Sequence, residues 1–560
     1  MPARGRGPEM NTDTRTAAAR WAIALTEIPS VTGTADEAGF ADRLATLLRA
    51  SPAFADRPLE VWTIPVPGLP GRACVCALLR GRDARTMVLT GHFDTVHVED
   101  YGDLAPLACR PDALKPALLA RLRAGAATGT ITGAERRALA DLDGPDFLPG
   151  RGLLDMKAGL AAGLAAMEEA ARDPALEGNL LFLGVPDEEV NSAGARAAAP
   201  ALPGIAARLG LELVGAINLD ALIDDEDGAE GRAVALGTVG KLLPSALVVG
   251  QAVHASNAFG GINACALAGA LAAEVEWAPE LLERTGAEVA AGTTLLGMKD
   301  SKRAYDVTTP ERVWMFWNVM TQRRGYAEVL ATMERLVARA AAGLADRLRA
   351  RRAGALSIEA DAAPTVEVLT FAALRREVEA RSDATAGLLA DLARDAASSG
   401  LDLPEQCRVV TERAWELSGR SGPAVVLGLA SMPYLPTRLG DDPAARRLAR
   451  ATEEAAAAVA ARRGTSIRLM NHFPGISDMS FLGQADETSV PAIAADTPAW
   501  GAGISWPEGP AVGGIPIVNA GPWGRDYHTP LERLHTPYAF EVLPDLIAEI
   551  ARRALRADRG

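Results

Sequence analysis

Apolar and polar positions along the chain change rhythm often enough to mark elements before any composition is counted. Residues 13–50 mix Arg, Ala and larger apolar residues at helical spacing and read as two helices around a Pro-Ser-Val-Thr-Gly turn at 29–33. Short apolar runs with β-branched residues follow at 61–66, 74–79 and 86–90, and two more lie at 180–185 and 214–219. Such runs predict strands. Between them an Ala-rich stretch, 156–172, sets Met156, Leu160, Leu164 and Met167 on one helical face. Strands alternating with helices predict an α/β domain on a largely parallel sheet.

The stretch 104–149 breaks that rhythm. Its middle, 113–142, is helical in character without strands and reads as an insertion at the domain edge. From about Lys241 the pattern changes again: a strand at 245–253, a helix at 263–275, strands at 293–297 and 303–308, and a long helix at 327–352. This predicts a second domain of α+β type. Residues 371–422 are helical and follow no strand pattern, while a strand at 424–429, a helix at 444–462 and the tail return to the first domain. The expected division is therefore 1–240, with the insertion 104–149, then 241–422, then 423–560.

Composition narrows the function classes. At 560 residues, with 49% hydrophobic and 23% charged residues, the chain can bury several cores. A net charge of -14 argues against a nucleic-acid partner, because phosphate binding needs an excess of Lys and Arg. The five cysteines, Cys74, Cys76, Cys109, Cys265 and Cys407, are odd in number and scattered, which suits reduced thiols. The basic start carries no apolar signal core, Met10 is an alternative first residue, and no apolar stretch is long enough to span a membrane. The expectation is a cytoplasmic protein.

With only six histidines, their settings are informative. His92 follows an apolar strand in Gly-His-Phe-Asp-Thr-Val (91–96), at the strand end where open parallel sheets bind ligands. Asp94 is placed to accept from its second ring nitrogen; the ordinary alternative is a turn histidine with a capping Asp. Asp155 precedes the Ala-rich helix and by itself reads as an N-cap. Glu188 and Glu189 follow the run 180–185, Asp220 ends the run 214–219, and His528 lies in a late loop; singly these read as a solvated edge, a turn residue and a loop histidine. The acidic run beyond Asp220, to 230, reads as a solvated loop. Together, two imidazoles and several carboxylates at successive strand ends make the inventory of a two-metal hydrolytic site, with one carboxylate bridging and a free Glu moving the proton.

The order and wording of these motifs resemble the M20 family of metallopeptidases and amidohydrolases: Gly-His-Phe-Asp-Thr-Val (91–96), Gly-Leu-Leu-Asp-Met-Lys (152–157), Pro-Asp-Glu-Glu-Val (186–190), Asp220 and His-Thr-Pro (528–530). The resemblance implies a three-layer, zinc-exopeptidase-like catalytic domain with an inserted α+β lid or dimerisation domain. It implies that His92, Asp155 and Asp220 hold one divalent metal and Asp155, Glu189 and His528 the other, with a cis peptide at Asp155–Met156. Zinc is the implied metal, with cobalt or manganese as alternatives. Glu188 would be the general base and acid, Asp94 would orient His92, and His254, in Val-His-Ala-Ser (253–256), would stabilise the oxyanion. Asn471, Ser477 and Asp478 fall where family members face substrate, here a small peptide or N-acyl amino acid. A homodimer is implied by the resemblance alone. His97, His472 and His535 match no role. Residues 300–306 and 315–321 resemble the RocB-type branch of arginine-utilisation proteins.

Two other classes are weighed against this. A catalytically silent binding or regulatory relative would share the fold, but every implied ligand and the base are present. A serine hydrolase would need a Gly-x-Ser-x-Gly turn, and Gly-Ile-Ser-Trp-Pro (503–507) lacks the closing Gly. No phosphate-cradling Gly-x-x-x-x-Gly-Lys-Ser/Thr loop occurs.

Overall fold

The computed structural model describes residues 16–356, 365–506 and 513–556. The basic start, Met10 and Pro507 lie outside them. The described residues divide into two compact units, 1–236 with 439–470 and 515–560, and 237–438 with 471–514.

The first unit is built on an eight-stranded sheet: β1 (Glu60–Pro65), β2 (Ala73–Leu79), β3 (Arg85–His92), β4 (Asn179–Val185), β5 (Glu212–Asn218), β6 (Ala233–Ala235), β7 (Arg468–Met470) and β8 (Ile517–Asn519). Their order is β1-β2-β4-β3-β5-β8-β6-β7. The centre is parallel, β4 with β3, β3 with β5 and β5 with β8, while β1 and β2 add antiparallel strands at one side. All seven residues of β4 and all of β3 after Arg85 are buried, which is why these strands read as continuous apolar runs.

Helices Ala17–Thr26 and Ala158–Arg172 pack together on this sheet, tied by the Trp21 indole donating to Glu168 at 2.8 Å. The second helix starts two residues later than its periodicity suggests. Asp155 and Met156 have non-helical dihedrals, and Met156 turns back so that the His92 amide donates to its sulfur at 3.2 Å. Gly159 lets the helix press on the loop after β5: an added Cβ would lie 1.9 Å from the Leu219 carbonyl oxygen.

The expected insertion is helical, with Pro111–Thr128 and Gly133–Asp143, the latter opened by a Thr132/Glu135 capping box. It ends in a short strand, Phe147–Pro149, within a four-stranded sheet whose next members are Arg533–His535 and Trp523–Arg525.

The second unit holds a six-stranded sheet. Strand Arg312–Thr321 pairs antiparallel with Gly240–Leu242, Pro244–Val249 and Thr294–Asp300; Ala424–Leu429 pairs antiparallel with Pro244–Val249 and parallel with Glu367–Thr370. Helices Ala264–Val275 and Tyr326–Leu356 bury one apolar cluster against it. Helices Phe371–Glu379 and Leu403–Ser418 bury another. Two expectations are corrected. Residues 303–308 form a loop, and the strand is Arg312–Thr321. The run 424–429 belongs to this sheet, so the chain re-enters the first unit at 439 and visits the second again at 471–514. A fully buried strand carries the same apolar pattern in either sheet, so its pattern names no partner. Among the described residues no helix is long and apolar enough to cross a membrane.

Gly159→Ala is expected to destabilise the protein by about 1–3 kcal/mol through overpacking against backbone, read as a lower urea midpoint. Gly204→Ala, on a helix where an added Cβ meets nothing within 4 Å, is the matched control and leaves the midpoint unchanged or slightly raised.

Candidate metal centre

Parallel pairing brings the chemistry to one edge. His92 is the last residue of β3 and pairs in register with Val185, the last of β4; Thr90 pairs with Asn218, the last of β5. The segments leaving these strands, with Glu188 and Glu189 after β4 and Asp220 after β5, therefore emerge side by side. Asp155 joins them from the non-helical turn before helix Ala158–Arg172, and its peptide to Met156 is cis. His528 comes from the loop between strands Trp523–Arg525 and Arg533–His535.

The Asp155 carboxylate lies between the imidazoles. Its Oδ1 is 3.1 Å from His92 Nε2 and its Oδ2 is 3.0 Å from His528 Nε2. Glu189 Oε2 is 3.2 Å from the same His528 nitrogen. Glu188 Oε2 and Asp220 Oδ1 each stand 3.9 Å from His92 Nε2. His92, Asp94, Asp155, Glu188 and Asp220 are buried, whereas the His528 side chain is 43% exposed. The two glutamates are thus distinct: Glu189 meets the His528 side of Asp155, and Glu188 the His92 side.

Asp94 acts differently from the sequence expectation. It is the main-chain carbonyl of Asp94 that meets His92 Nδ1, at 3.0 Å; the carboxylate is 3.7 Å away. That carboxylate instead accepts the amide N–H groups of Glu188 and Glu189, at 3.1 and 3.2 Å, and the Thr32 hydroxyl at 2.8 Å. It fixes the turn that carries both glutamates. Thr32 was not singled out by sequence reasoning; the Pro-Ser-Val-Thr-Gly turn was legible, but its docking on 93–95, through Ser30 to the Phe93 carbonyl and the Thr32 amide to Thr95, is tertiary.

Charge governs what the arrangement can bind. Burial would lower the His92 pKa, but Asp155, Glu188 and Asp94 outweigh it and hold it above the ordinary imidazole value. The same opposition, with Asp155 and Glu189 prevailing, lifts His528 to about 10. Burial alone would raise the Asp155 carboxyl, but His528 and His92 drive it well below the usual range, while burial and Asp155 push Glu189 up. With Nδ1 of His92 donating to a carbonyl, Nε2 faces a carboxylate oxygen, and that contact is favourable only with a proton or a cation between them. His92, Asp155 and Glu189 form a candidate metal site, their ligand atoms lying within 4.8 Å of one another. The donors are all imidazole nitrogen and carboxylate oxygen, a set that zinc, cobalt and manganese accept.

His254, Asn471, Ser477 and Asp478 belong to the second unit. His254 is exposed, with Nδ1 2.7 Å from the Ser256 hydroxyl. Asn471 is exposed and donates through its amide and side chain to Glu288, at 2.6 and 3.1 Å. Ser477 is buried and donates to Thr238 at 3.4 Å; buried Asp478 opens the short helix Met479–Leu482. His97 is exposed beside Glu99, His472 is buried near Glu288, and His535 stacks on Trp523. In the acidic run after Asp220, Asp224 is buried and accepts the amides of Glu226, Glu230 and Gly231, so it organises the loop and is not merely solvated.

Histidines and carboxylates gathered at the carboxyl edge of a mostly parallel sheet, in a chain with a separate smaller sheet unit, define the class of metallo-hydrolase folds. The chain belongs to peptidase family M20/M25/M40, whose family model matches residues 138–496. That span contains Asp155, Glu188, Glu189 and Asp220; His92 and His528 join them through the fold. The chain is 30% identical over 546 residues to the uncharacterized protein YqjN of Bacillus subtilis, covering 96% of each. It is 25% identical over 549 residues to protein RocB of the same organism, covering 96% of this chain and 94% of RocB. Among solved structures, aminopeptidase PepT from Bacillus cereus aligns at 16% identity over 96% of this chain and 98% of PepT, with a TM-score of 0.49.

Asp155→Asn removes the charge shared by the imidazoles. In metal-free protein the His528 ring, followed by NMR titration, is expected to fall from about 10 towards the ordinary histidine value of about 6.5. A titration unchanged by the substitution would show that Asp155 does not set the charge of His528.

Proposed function

We propose that this chain is a binuclear metal-dependent hydrolase cleaving the amide bond of a small peptide or an N-acyl amino acid. The observation that carries the reading is the Asp155 carboxylate, with one oxygen facing each of two imidazoles. On this reading His92, Asp155 and Asp220 hold one divalent cation, and Asp155, Glu189 and His528 the other. Zinc is the proposed metal, with cobalt or manganese as alternatives. When bound, the cations supply Lewis acidity that makes water a nucleophile near neutral pH and polarises the scissile carbonyl.

The chain's own groups do the rest. Glu188 takes the proton from the attacking water and returns it to the leaving amine, a role supported by its place beside the His92 half of the cluster and by the Asp94 carboxylate that pins its amide. Asp94 also orients His92, through its carbonyl. His254 is proposed to stabilise the oxyanion through Nε2; its Nδ1 is engaged by Ser256. Asn471, Ser477 and Asp478 are proposed to face substrate, and the second unit to serve as lid and dimerisation domain. The five free cysteines fit the proposed cytoplasmic setting.

Elemental analysis after reconstitution with zinc, cobalt or manganese is expected to find near two metals per chain in wild type and clear loss in Asp155→Ala. Glu188→Ala is expected to keep both metals and lose turnover by at least about 100-fold, the scale of general acid–base catalysis. No stoichiometric metal under any condition would overturn the reading. Near-wild-type turnover of Glu188→Ala at saturating metal would overturn the role of Glu188.

A further inference from the structure

His528 stands on an unusual support. Its loop, 526–532, closes an antiparallel hairpin in which Arg525 and Arg533 are directly opposed. Like charges facing each other across a strand pair push the strands apart. Here they do not stand alone, because Asp141, at the end of the inserted helix Gly133–Asp143, reaches both. Each of its oxygens lies 2.8 Å from Arg525 Nη1, and its Oδ2 takes Arg533 Nε at 2.7 Å. The Arg533 side chain is fully buried, and those of Arg525 and Asp141 are nearly so.

The same insertion supplies the rest of the seat. Its exit strand, Phe147–Pro149, pairs with Arg533–His535, and both guanidinium groups lie over the Phe147 ring, at 5.2 and 5.9 Å. From the hairpin side, Arg533 holds the loop through Asp526 at 2.5 Å and the Leu531 carbonyl at 3.0 Å. Glu532, at the other end of the loop, is held by buried Arg151 at 2.7 Å. Inside the loop Asp526 and His528 both have positive φ, 53° and 60°. Residues other than glycine adopt that conformation at a cost and keep it only where their surroundings impose it.

We infer that Asp141 is a positioning residue for the His528 half of the metal centre, and that the insertion serves to hold the loop in its left-handed form so that His528 reaches Asp155 and Glu189. Asp141 touches neither metal nor substrate; it neutralises the Arg525–Arg533 pair and aims Arg533 at Asp526. The inference rests on the two-metal reading above. It assigns a function to 104–149 that strand and helix patterns do not reveal.

The test is metal affinity by calorimetric titration of the metal-free full chain with zinc, for wild type, Asp141→Asn, Arg525→Gln and Asp141→Glu. Wild type takes two ions. In Asp141→Asn one of the two ions is expected to lose about 10–100-fold in affinity, the scale of removing an outer support of a metal ligand, while the other is unchanged; in Arg525→Gln, which leaves Asp141 to hold Arg533, both keep their affinities. Asp141→Glu restores part of the loss. A purely structural role would lower the melting temperature without singling out one ion, so thermal unfolding is measured alongside. If Asp141→Asn does not fold, the double variant Asp141→Asn with Arg525→Gln, which removes the acid together with one of the two like charges it neutralises, carries the test and is expected to show the same loss at one ion. Two ions bound with wild-type affinities by folded Asp141→Asn or by the folded double variant overturn the inference and leave the two-metal reading standing. Fewer than two ions in wild type overturn that reading and, with it, this one.

Discussion

A single carboxylate, Asp155, lies in hydrogen-bond range of His92 on one side and His528 on the other, and the first unit is organised around keeping it there. The constraint is demanding because the two contacts span very different distances along the chain: His92 is 63 residues away and His528 is 373. Neither partner is on the same element as Asp155. The sheet must deliver β3 in register with β4, the turn before Ala158–Arg172 must abandon helical geometry, and the last hairpin must fold back from the far end of the chain.

Electrostatics explains why this geometry needs so much support. Carboxylates gathered around two imidazoles in a buried site repel one another unless protons or cations intervene. Both imidazoles are accordingly drawn to bind protons strongly, and Asp155 to release its own. Divalent cations would relieve such a cluster, and its backbone is pinned from outside. Asp94 pins the Glu188–Glu189 turn through two amides, and Thr32 pins Asp94. Gly159 and Gly163 are pressed onto Leu219, the residue before Asp220. The His528 loop, whose histidine side chain is 43% exposed, is held by Arg533, itself paired with Asp141, and by Arg151.

Family membership fits this division of labour. The matched span begins within the helix Gly133–Asp143, ends in the second unit and holds Asp155, Glu188, Glu189 and Asp220. The full-length likeness to YqjN and RocB extends over the flanking segments that supply both histidines. The inserted helices therefore lie within a chain-long likeness.

The sequence by itself determined the central strands, the helix after Asp155, the helical character of 113–142 and the histidines and carboxylates that stand together at the strand ends. It could do so because buried parallel strands are local apolar runs, and because short motifs at strand ends are contiguous in the chain. What it could not determine was decided by packing between distant segments. The strand 424–429 has the same buried pattern whichever sheet it joins, and only its pairing with Pro244–Val249 assigns it to the second unit. Residues 303–308 have strand-like composition, but the edge position is taken by Thr294–Asp300 pairing directly with Arg312–Thr321. Asp94 lies two residues from His92, which suggests a carboxylate–imidazole pair, yet the carboxylate is claimed by amides 94 and 95 residues away. Asp141 is an ordinary acid at a helix end until Arg525 and Arg533, 384 and 392 residues later, close around it. Local pattern follows from steric and hydrophobic preferences written residue by residue; partners chosen across hundreds of residues follow only from the fold.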